Sequence, residues 1–409
     1  MDIRTTVDTG TWTTGKIVFA ILIGLLIVAS PLVLQGFQTL SFFVRILAVI
    51  GIYVMLALGL NIVVGYAGLL DLGYVAFYAM GAYAAVVVGD LFVKFVAANA
   101  TGDMATFWTA STWIMMLPVA AIVAAMTGIA LGTPVLRLRG DYLAIVTLGF
   151  GEIIRILATN DFLGLTNGAK GLPRVGQSIP NPIGLTWMQD NLRFNIDAIN
   201  FKFMFSVNLY WYYAVVLLCI LTIFIVRRLD NSRLGRSWVA MREDEVAASS
   251  VGVNIMTAKL WAFSLGAVWG GLAGVVFANS QGFVSPESFT FMESVFIVSM
   301  VVLGGMGSIP GVIVGACLIA GIPELIRGLA QSPMFSSVIP AETASAIANY
   351  RYLVFGLLMV IMMAFRPQGI IPSQRRALEL HPDDSKILHD EDQSMWDIEQ
   401  GDKRSEHDL

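Results

Sequence analysis

Long apolar runs and short polar breaks alternate along most of this chain. Between Lys16 and Phe365, windows of mostly apolar residues recur at the length an α-helix needs to cross a bilayer, about 20 residues. The pattern predicts an all-α membrane protein with about ten transmembrane helices. The predicted spans are 16–35, 42–64, 69–93, 113–134, 141–159, 207–227, 257–279, 291–306, 311–329 and 350–366.

The composition agrees with a bilayer as the main solvent. Hydrophobic residues make up 56% of the 409 positions and charged residues only 13%, whereas soluble domains carry about a quarter charged residues. The basic residues form no stripe with interleaved aromatics, so nucleic-acid binding has no support. Cys219 and Cys317 lie in apolar windows, which favours small buried hydrophobes over a disulfide or a metal site.

Lysine and arginine are unevenly distributed over the predicted loops. With the N-terminus inside, the ten spans place sixteen basic residues in the cytoplasm and seven outside. The cluster from Arg227 to Arg242 contributes most of the difference. Because cytoplasmic loops collect these residues, we predict that both termini lie inside.

The predicted transmembrane domain covers residues 16–372 and contains two longer connections. Segment 160–206 is rich in Gly, Pro and Asn and is predicted to be a periplasmic loop, whereas segment 228–256 is predicted to be cytoplasmic. Residues 1–15 form a predicted cytoplasmic N-terminus. Residues 373–409 hold five basic and eleven acidic side chains, which is typical of a disordered, solvated tail.

Two glycine-rich stretches resemble nucleotide-binding loops but lack an essential part. In the first, from Gly10 to Lys16, the next residue is Ile17, where a P-loop needs a hydroxyl to hold magnesium. The second, Gly304 to Gly311, has Pro310 where a dinucleotide loop needs its third glycine, so we predict a tight cytoplasmic turn. We expect no cofactor in this chain.

The three histidines, His381, His389 and His407, all lie in the predicted tail. Histidine is the usual proton-relay group and a common metal ligand. Triads and zinc sites that require histidine are therefore excluded from the predicted bundle, and we predict neither a catalytic nor a metal site.

The cytoplasmic segment 228–256 contains a predicted short helix. From Ser237 to Ser250 the chain has no proline or glycine, and apolar residues recur at helix-like intervals. Such a helix either lies on the membrane as a connector or inserts into a partner's groove with Trp238 and Met241 as anchors.

Part of this segment, Glu245-x-Ala247-Ala248-x-x-x-Gly252, resembles the EAA motif of bacterial ABC importers, whose permeases dock on an ATPase through a coupling helix. Four further segments resemble, in order and spacing, the M-type permease of the branched-chain (hydrophobic) amino-acid ABC transporters. These segments are 61–83, 139–149, 165–173 and 304–311. The resemblance runs from about Val44 to Pro372.

The resemblance implies an importer permease with a type II-like bundle in the bacterial inner membrane. It also implies an H-type sister permease, two cytoplasmic ATPases that bind ATP and magnesium, and a periplasmic amino-acid-binding protein. The chain itself would be a transporter subunit and no enzyme. The residues expected to couple to the ATPase are Arg236, Trp238, Met241, Arg242, Glu243, Glu245, Ala247, Ala248 and Gly252.

Ionisable residues in the predicted spans are candidates for the translocation pathway, because a charge at mid-bilayer costs about 2.5–3.5 kcal/mol or more unless it faces a cavity or partner. Glu152 and Arg155 are three residues apart, which favours a structural ion pair over a transport role. Asp71 and Glu293 open predicted spans, where a carboxylate suits the positive helix end. The predicted pathway residues are Asn61, Gly65, Gly68, Asp71, Tyr74, Glu152 and Glu293.

The expected function is import of branched-chain or hydrophobic amino acids, with the chain forming half of the pathway. Broader neutral amino acids, urea or short amides remain alternative substrates, since selectivity in the implied system rests largely with the binding protein and Tyr74 replaces a small residue or histidine of many relatives. An ion-coupled secondary transporter would need facing buried carboxylates at mid-membrane, which the sequence does not clearly offer. A membrane enzyme would need a nucleophile and base, and we find no plausible pair.

Overall fold

The computed structural model describes residues 41–99, 108, 112–135, 141–173, 195–196, 201–202, 207–331, 351–366 and 369–371. Helices dominate these ranges. They are α1 (Ser41–Asn61, continued by a π-helical turn Ile62–Tyr66), α2 (Val75–Asn99), α3 (Thr112–Val135), α4 (Asp141–Thr159), α5 (Val207–Asp230), α6 (Arg233–Glu243), α7 (Glu245–Ser250), α8 (Ile255–Gln281), α9 (Phe291–Gly304), α10 (Ile309–Gln331) and α11 (Arg351–Phe365).

Six described helices are long and apolar enough to cross a membrane: α1 with its π-helical turn, α2, α3, α4, α5 and α8. Two shorter apolar stretches follow, α9 (Phe291–Gly304) and the part Ile309–Glu324 of α10. The prediction of an all-α, multi-pass membrane protein is confirmed. The count of ten stays a prediction, because the first predicted span, 16–35, lies outside the described residues, as do the P-loop-like stretch and the acidic tail.

One predicted span begins too early. The sequence predicts a helix from residue 69, but α2 begins at Val75. The chain turns before it, with Gly68 at φ +70°, a conformation that glycine adopts without the steric cost of a Cβ. A Cβ at Gly73 would also collide with the backbone of Thr147 in α4. Hydropathy does not register such a turn, since the stretch is apolar throughout.

The core of the bundle forms around α8, which packs against α1, α2 and α3. Close approach takes place at glycines: Gly81 of α2 faces Gly271 of α8, and Gly274 lies against the backbone of Tyr78. In lipid, helices gain no hydrophobic drive towards one another, so small residues that let backbones approach stabilise the packing. Gly270 and Gly274 both lie at this contact between α8 and α2.

Short strands join the loops at one end of the bundle. Strand β1 (Leu172–Pro173) pairs antiparallel with β4 (Phe283–Val284), which follows α8. Strands β2 (Asn195–Ile196) and β3 (Phe201–Lys202) pair with each other. The β1–β4 pair ties the start of the predicted periplasmic loop to the connection between α8 and α9.

Candidate functional site

The segment predicted to be cytoplasmic folds as two short helices, α6 and α7. The prediction of one helix from Ser237 to Ser250 is therefore wrong. The break is at Asp244, which is extended at φ −154° and ψ 116°. Its Oδ1 accepts hydrogen bonds from the backbone N–H groups of Val246 (2.7 Å) and Ala247 (3.0 Å). Aspartate is a preferred N-cap in this geometry. The N–H groups of Ala247 and Val246 lower the pKa of Asp244, because they favour the ionised carboxylate.

Trp238 and Met241 face the interior of the chain. Trp238 is fully buried, Met241 is 2% exposed, and the indole Nε1 of Trp238 donates to the Ala258 carbonyl at the start of α8 (2.8 Å). The interpretation that these two side chains insert into a partner's groove is therefore wrong. They fix α6 to the bundle instead, because the apolar spacing that predicts the helix faces its own core.

Arg242 connects α6 to the end of α1. Its Nη1 donates to the carbonyl of Gly65 in the π-helical turn (2.9 Å). The arginine stem also lies where a Cβ of Gly68 would be. Gly65 and Gly68, which the sequence predicts for the pathway, therefore both contact Arg242 of the coupling segment. π-Turns inside helices occur frequently at functional sites.

A buried ion pair holds α7 against α8. The Nζ of Lys259 lies 2.6 Å from Oε1 of Glu245, and the lysine is 2% exposed while the glutamate is 29% exposed. Ala248, one turn further, is buried as well. The sequence gives no clear signal for Lys259, whose partner lies fourteen residues earlier. The glutamate of the EAA-like motif is thus held inside the chain.

The exposed face of α7 and the residue that follows this helix carry apolar side chains. Val246 is 66% exposed and Val251 is 78% exposed. Gly252, at φ +91°, ends α7 in the left-handed conformation. We call the exposed set Glu243, Val246, Ala247, Val251 and Gly252 the coupling surface. The sequence predicts neither valine as a coupling residue.

Of the other predicted coupling residues, Arg236 of α6 is exposed, and its Nη1 donates to the carbonyl of Asn231 in the turn before that helix (3.2 Å).

The predicted turn from Gly304 to Gly311 is confirmed. Gly305 and Gly307 have positive φ angles, and α10 begins two residues later, at Ile309. The N–H of Gly307 donates to Oδ1 of Asn61 at the end of α1 (2.9 Å). Asn61 is fully buried, so this predicted pathway residue ties two helix ends together at the same end of the bundle as Arg242.

Two further pathway candidates lie in the core. Tyr74 is fully buried and its hydroxyl donates to the carbonyl of Gly266 (2.9 Å). Asp71 is also fully buried; its Oδ1 accepts from the N–H of Gly73 (2.8 Å), and its Oδ2 has no hydrogen-bond partner among the described residues. The prediction that Asp71 opens this span is wrong, because Asp71 precedes the start of α2 by four residues.

The predicted ion pair of α4 is confirmed. The Nε of Arg155 lies 2.7 Å from Oε2 of Glu152, and each side chain is one-third exposed. The same helix exposes apolar side chains such as Tyr142 (72%) and Ile145 (64%). The pair neutralises two charges on an otherwise apolar surface.

A cavity of about 350 Å³ opens at the other end of the bundle, which we call the outer cavity. Glu293 is the predicted pathway residue that lines it. The remaining lining residues are Arg45, Ile46, Val49, Tyr53, Gln281, Phe296, Met300, Ile319, Ala320, Pro323 and Glu324. Within the described ranges, no group of His, Cys, Asp or Glu side chains has the arrangement of a metal site.

The sequence from residue 42 to 363 matches a protein family described as the branched-chain amino acid transport system, permease component. The chain belongs to this family of permeases. No solved structure matches the permease.

Curated relatives of the permease cover most of its length. It is 42% identical to the high-affinity branched-chain amino acid transport system permease protein LivM of Salmonella typhimurium, over 82% of this chain and 71% of that protein. Its identity to LivM of Escherichia coli is also 42%, over 80% and 70%. The permease protein LivH of Salmonella typhimurium is 24% identical, over 78% and 91%.

Proposed function

We propose that this permease is the M-type subunit of an ATP-driven importer of branched-chain amino acids in the bacterial inner membrane. It forms half of the translocation pathway beside an H-type sister permease. Two cytoplasmic ATPases bind ATP and magnesium, and a periplasmic binding protein delivers the substrate. Family membership and the similarity to LivM and LivH support this assignment.

The observation that carries the coupling role is the attachment of α6 and α7 to the bundle. Trp238, Arg242 and Glu245 each contact a different part of it: the start of α8, the π-helical turn of α1, and Lys259. A force applied to the coupling surface is therefore transmitted to α1 and α8 without a flexible link.

The chemistry of the coupling surface suits a protein partner. Exposed valines beside a short helix give an apolar centre, and Glu243 gives it a polar rim, as in protein interfaces. ATP hydrolysis takes place in the partner, whose domain closure would push on α7.

The test is the co-purification of the ATPase subunits with the permease, followed by ATP-driven leucine uptake in proteoliposomes. Val246→Glu places a charge in the apolar centre and is expected to reduce both at least tenfold. Val246→Leu keeps the apolar contact and is the matched control. Full uptake by the glutamate variant, with the ATPases bound, would refute the coupling surface.

A second measurement separates the importer from a secondary transporter. Proteoliposomes that contain the permease pair without ATPases are given a proton or sodium gradient. The importer predicts no concentrative leucine uptake under these conditions and recovery of uptake when the ATPases and ATP are present.

A further inference from the structure

We propose that the outer cavity is a substrate-binding site for the zwitterionic head and the apolar side chain of an α-amino acid; the inference rests on the function proposed above. Arg45 would take the carboxylate, Glu293 the ammonium group, and the floor of the cavity the hydrocarbon side chain.

The position of the cavity fits substrate entry. Arg45 lies near the start of α1 and Gln281 at the end of α8. The opposite ends of these two helices contact Arg242 and Trp238 of the coupling segment. The cavity and the coupling segment therefore lie at opposite ends of the bundle. With the coupling segment in the cytoplasm, the cavity faces the side from which an importer receives its substrate.

The polar groups at the mouth carry both signs of charge. The Nη2 of Arg45 donates to Oε1 of Gln281 (2.9 Å), and the hydroxyl of Tyr53 donates to Oε2 of Glu293 (3.1 Å). A guanidinium has five N–H donors, so the bond to Gln281 orients Arg45 and leaves further donors for a ligand carboxylate. The bond from Tyr53 orients the Glu293 carboxylate at the mouth. Glu324 adds a second carboxylate.

Three charged side chains, Arg45, Glu293 and Glu324, come from three different helices, α1, α9 and α10, and line the same space. The hydrogen bonds from α1 to α8 and α9 fix these helices relative to one another, and the space beside the bonds stays open.

The floor of the cavity is apolar and buried. Phe296 and Met300 continue the face of α9 that begins with Glu293, and Ile319 and Ala320 face them from α10. All four are less than 9% exposed. Small-molecule sites have this composition, mostly apolar with a few placed polar groups, and volumes of about 300–1,000 Å³. At about 350 Å³, the cavity suits one small molecule such as a single amino acid.

Helix α1 connects this site to the coupling segment. Arg45, Val49 and Tyr53 line the cavity in its first half, and its π-helical turn accepts the bond from Arg242 at the other end. A displacement of α6 would act on the same helix that holds the carboxylate-binding group. Substrate release and ATPase closure would thus share one rigid element.

The experiment uses the complete permease–ATPase complex in nanodiscs and a diazirine analogue of leucine as the photolabel. Mass spectrometry of the labelled complex is expected to place the label within 41–61, 291–304 or 309–324. Leucine should compete with it. 4-Methylpentanoate, which lacks the amine, 3-methylbutylamine, which lacks the carboxylate, and urea should not.

Variants then assign the roles. Arg45→Gln and Glu293→Gln each remove one charge and are expected to lower labelling about tenfold or more. Val49→Trp fills the cavity and should abolish labelling even if a polar variant folds poorly. Lys94→Gln removes a cation paired with Asp90 outside the cavity and should label like the unchanged protein.

ATP-driven leucine uptake by the same preparation, with the binding protein, reports the proposed function separately. Uptake without labelling of the cavity would overturn the site and leave the importer standing. Competition by the acid, the amine or urea at the level of leucine would overturn the zwitterion. Labelling of Arg45→Gln and Glu293→Gln equal to that of Lys94→Gln would overturn their roles.

Discussion

The two ends of helix α1 are built in opposite ways. At the coupling end, the buried Asn61 accepts a hydrogen bond from the N–H of Gly307, and the carbonyl of Gly65 accepts one from Arg242. At the outer end, Arg45 and Tyr53 line a cavity of about 350 Å³. One end is packed to backbone contact, and the other leaves space for a molecule.

The difference shows where this fold uses its polar groups. At the coupling end they close the structure: each named side chain satisfies a group of its own chain, such as the Ala258 carbonyl or the buried Lys259. At the outer end they border a space with both signs of charge. A helix that is rigidly held at one end and contacts a cavity at the other is suited to transmit movement between them.

The largest effect on this contrast is expected from the ion pair at the coupling end. Glu245→Leu leaves the ammonium of Lys259 buried without its partner, and we expect a loss of about 3 kcal/mol in the free energy of unfolding, since breaking a buried pair on one side is strongly destabilising. Denaturant titration of the purified chain in detergent measures it.

The reverse change separates burial from pairing. Lys259→Met should cost less, because the Glu245 carboxylate is 29% exposed and reaches water. The double variant Glu245→Leu/Lys259→Leu should recover most of the stability. If the two single variants lose equal free energy of unfolding, the difference in burial between Lys259 and Glu245 does not determine the cost of breaking the pair.

The next largest effect concerns the packed middle between the two ends. A Cβ at Gly81 would overlap the backbone of Gly271, so Gly81→Ala should lower the free energy of unfolding by about 1–3 kcal/mol through overpacking. Gly356→Ala is the matched control, since no atom of the residues that the structure describes lies within 4 Å of the added Cβ. Thermal unfolding of both variants in the same detergent compares them, and an equal shift would contradict close packing at Gly81.

The sequence predicts only part of the contrast between the two ends of α1. Hydropathy finds the membrane helices because lipid requires apolar runs, and α4 has the predicted bounds, Asp141–Thr159. Periodicity predicts a helical coupling segment but not the direction of its apolar face, so it does not distinguish a Trp238 that anchors a partner from a Trp238 that packs in the core. The pairing of Lys259 with Glu245 and of Arg45 with Gln281 depends on how distant helices pack, and no local pattern records it.

A smaller effect is expected at the contact between α6 and the π-helical turn. Arg242→Gln loses the bond to the Gly65 carbonyl, and we expect about 1 kcal/mol in stability because the residue is only half-buried. The number of leucine molecules carried per ATP should fall more clearly, since the contact joins the coupling segment to α1. Arg233→Gln, an exposed arginine in the first turn of α6, is the control, and the proposal fails if both variants lose coupling equally.

The smallest effect is a pH dependence confined to α7. The backbone donors of Ala247 and Val246 hold the pKa of Asp244 below its ordinary value, so the folded chain favours the carboxylate. The cap therefore stabilises α7 fully above the usual carboxyl pKa of about 3.9 and is lost as the pH falls through the lower folded value. Hydrogen exchange at Val246 and Ala247, corrected for the intrinsic rate, should speed up below that pH. Asp244→Asn still caps the helix but does not titrate, so its corrected exchange rate at these two amides should not depend on pH. The protection of the cavity residue Phe296 should not change with pH in either protein. An equal loss of protection at Phe296 would mean that acid opens the whole bundle and that α7 does not respond separately from the outer end.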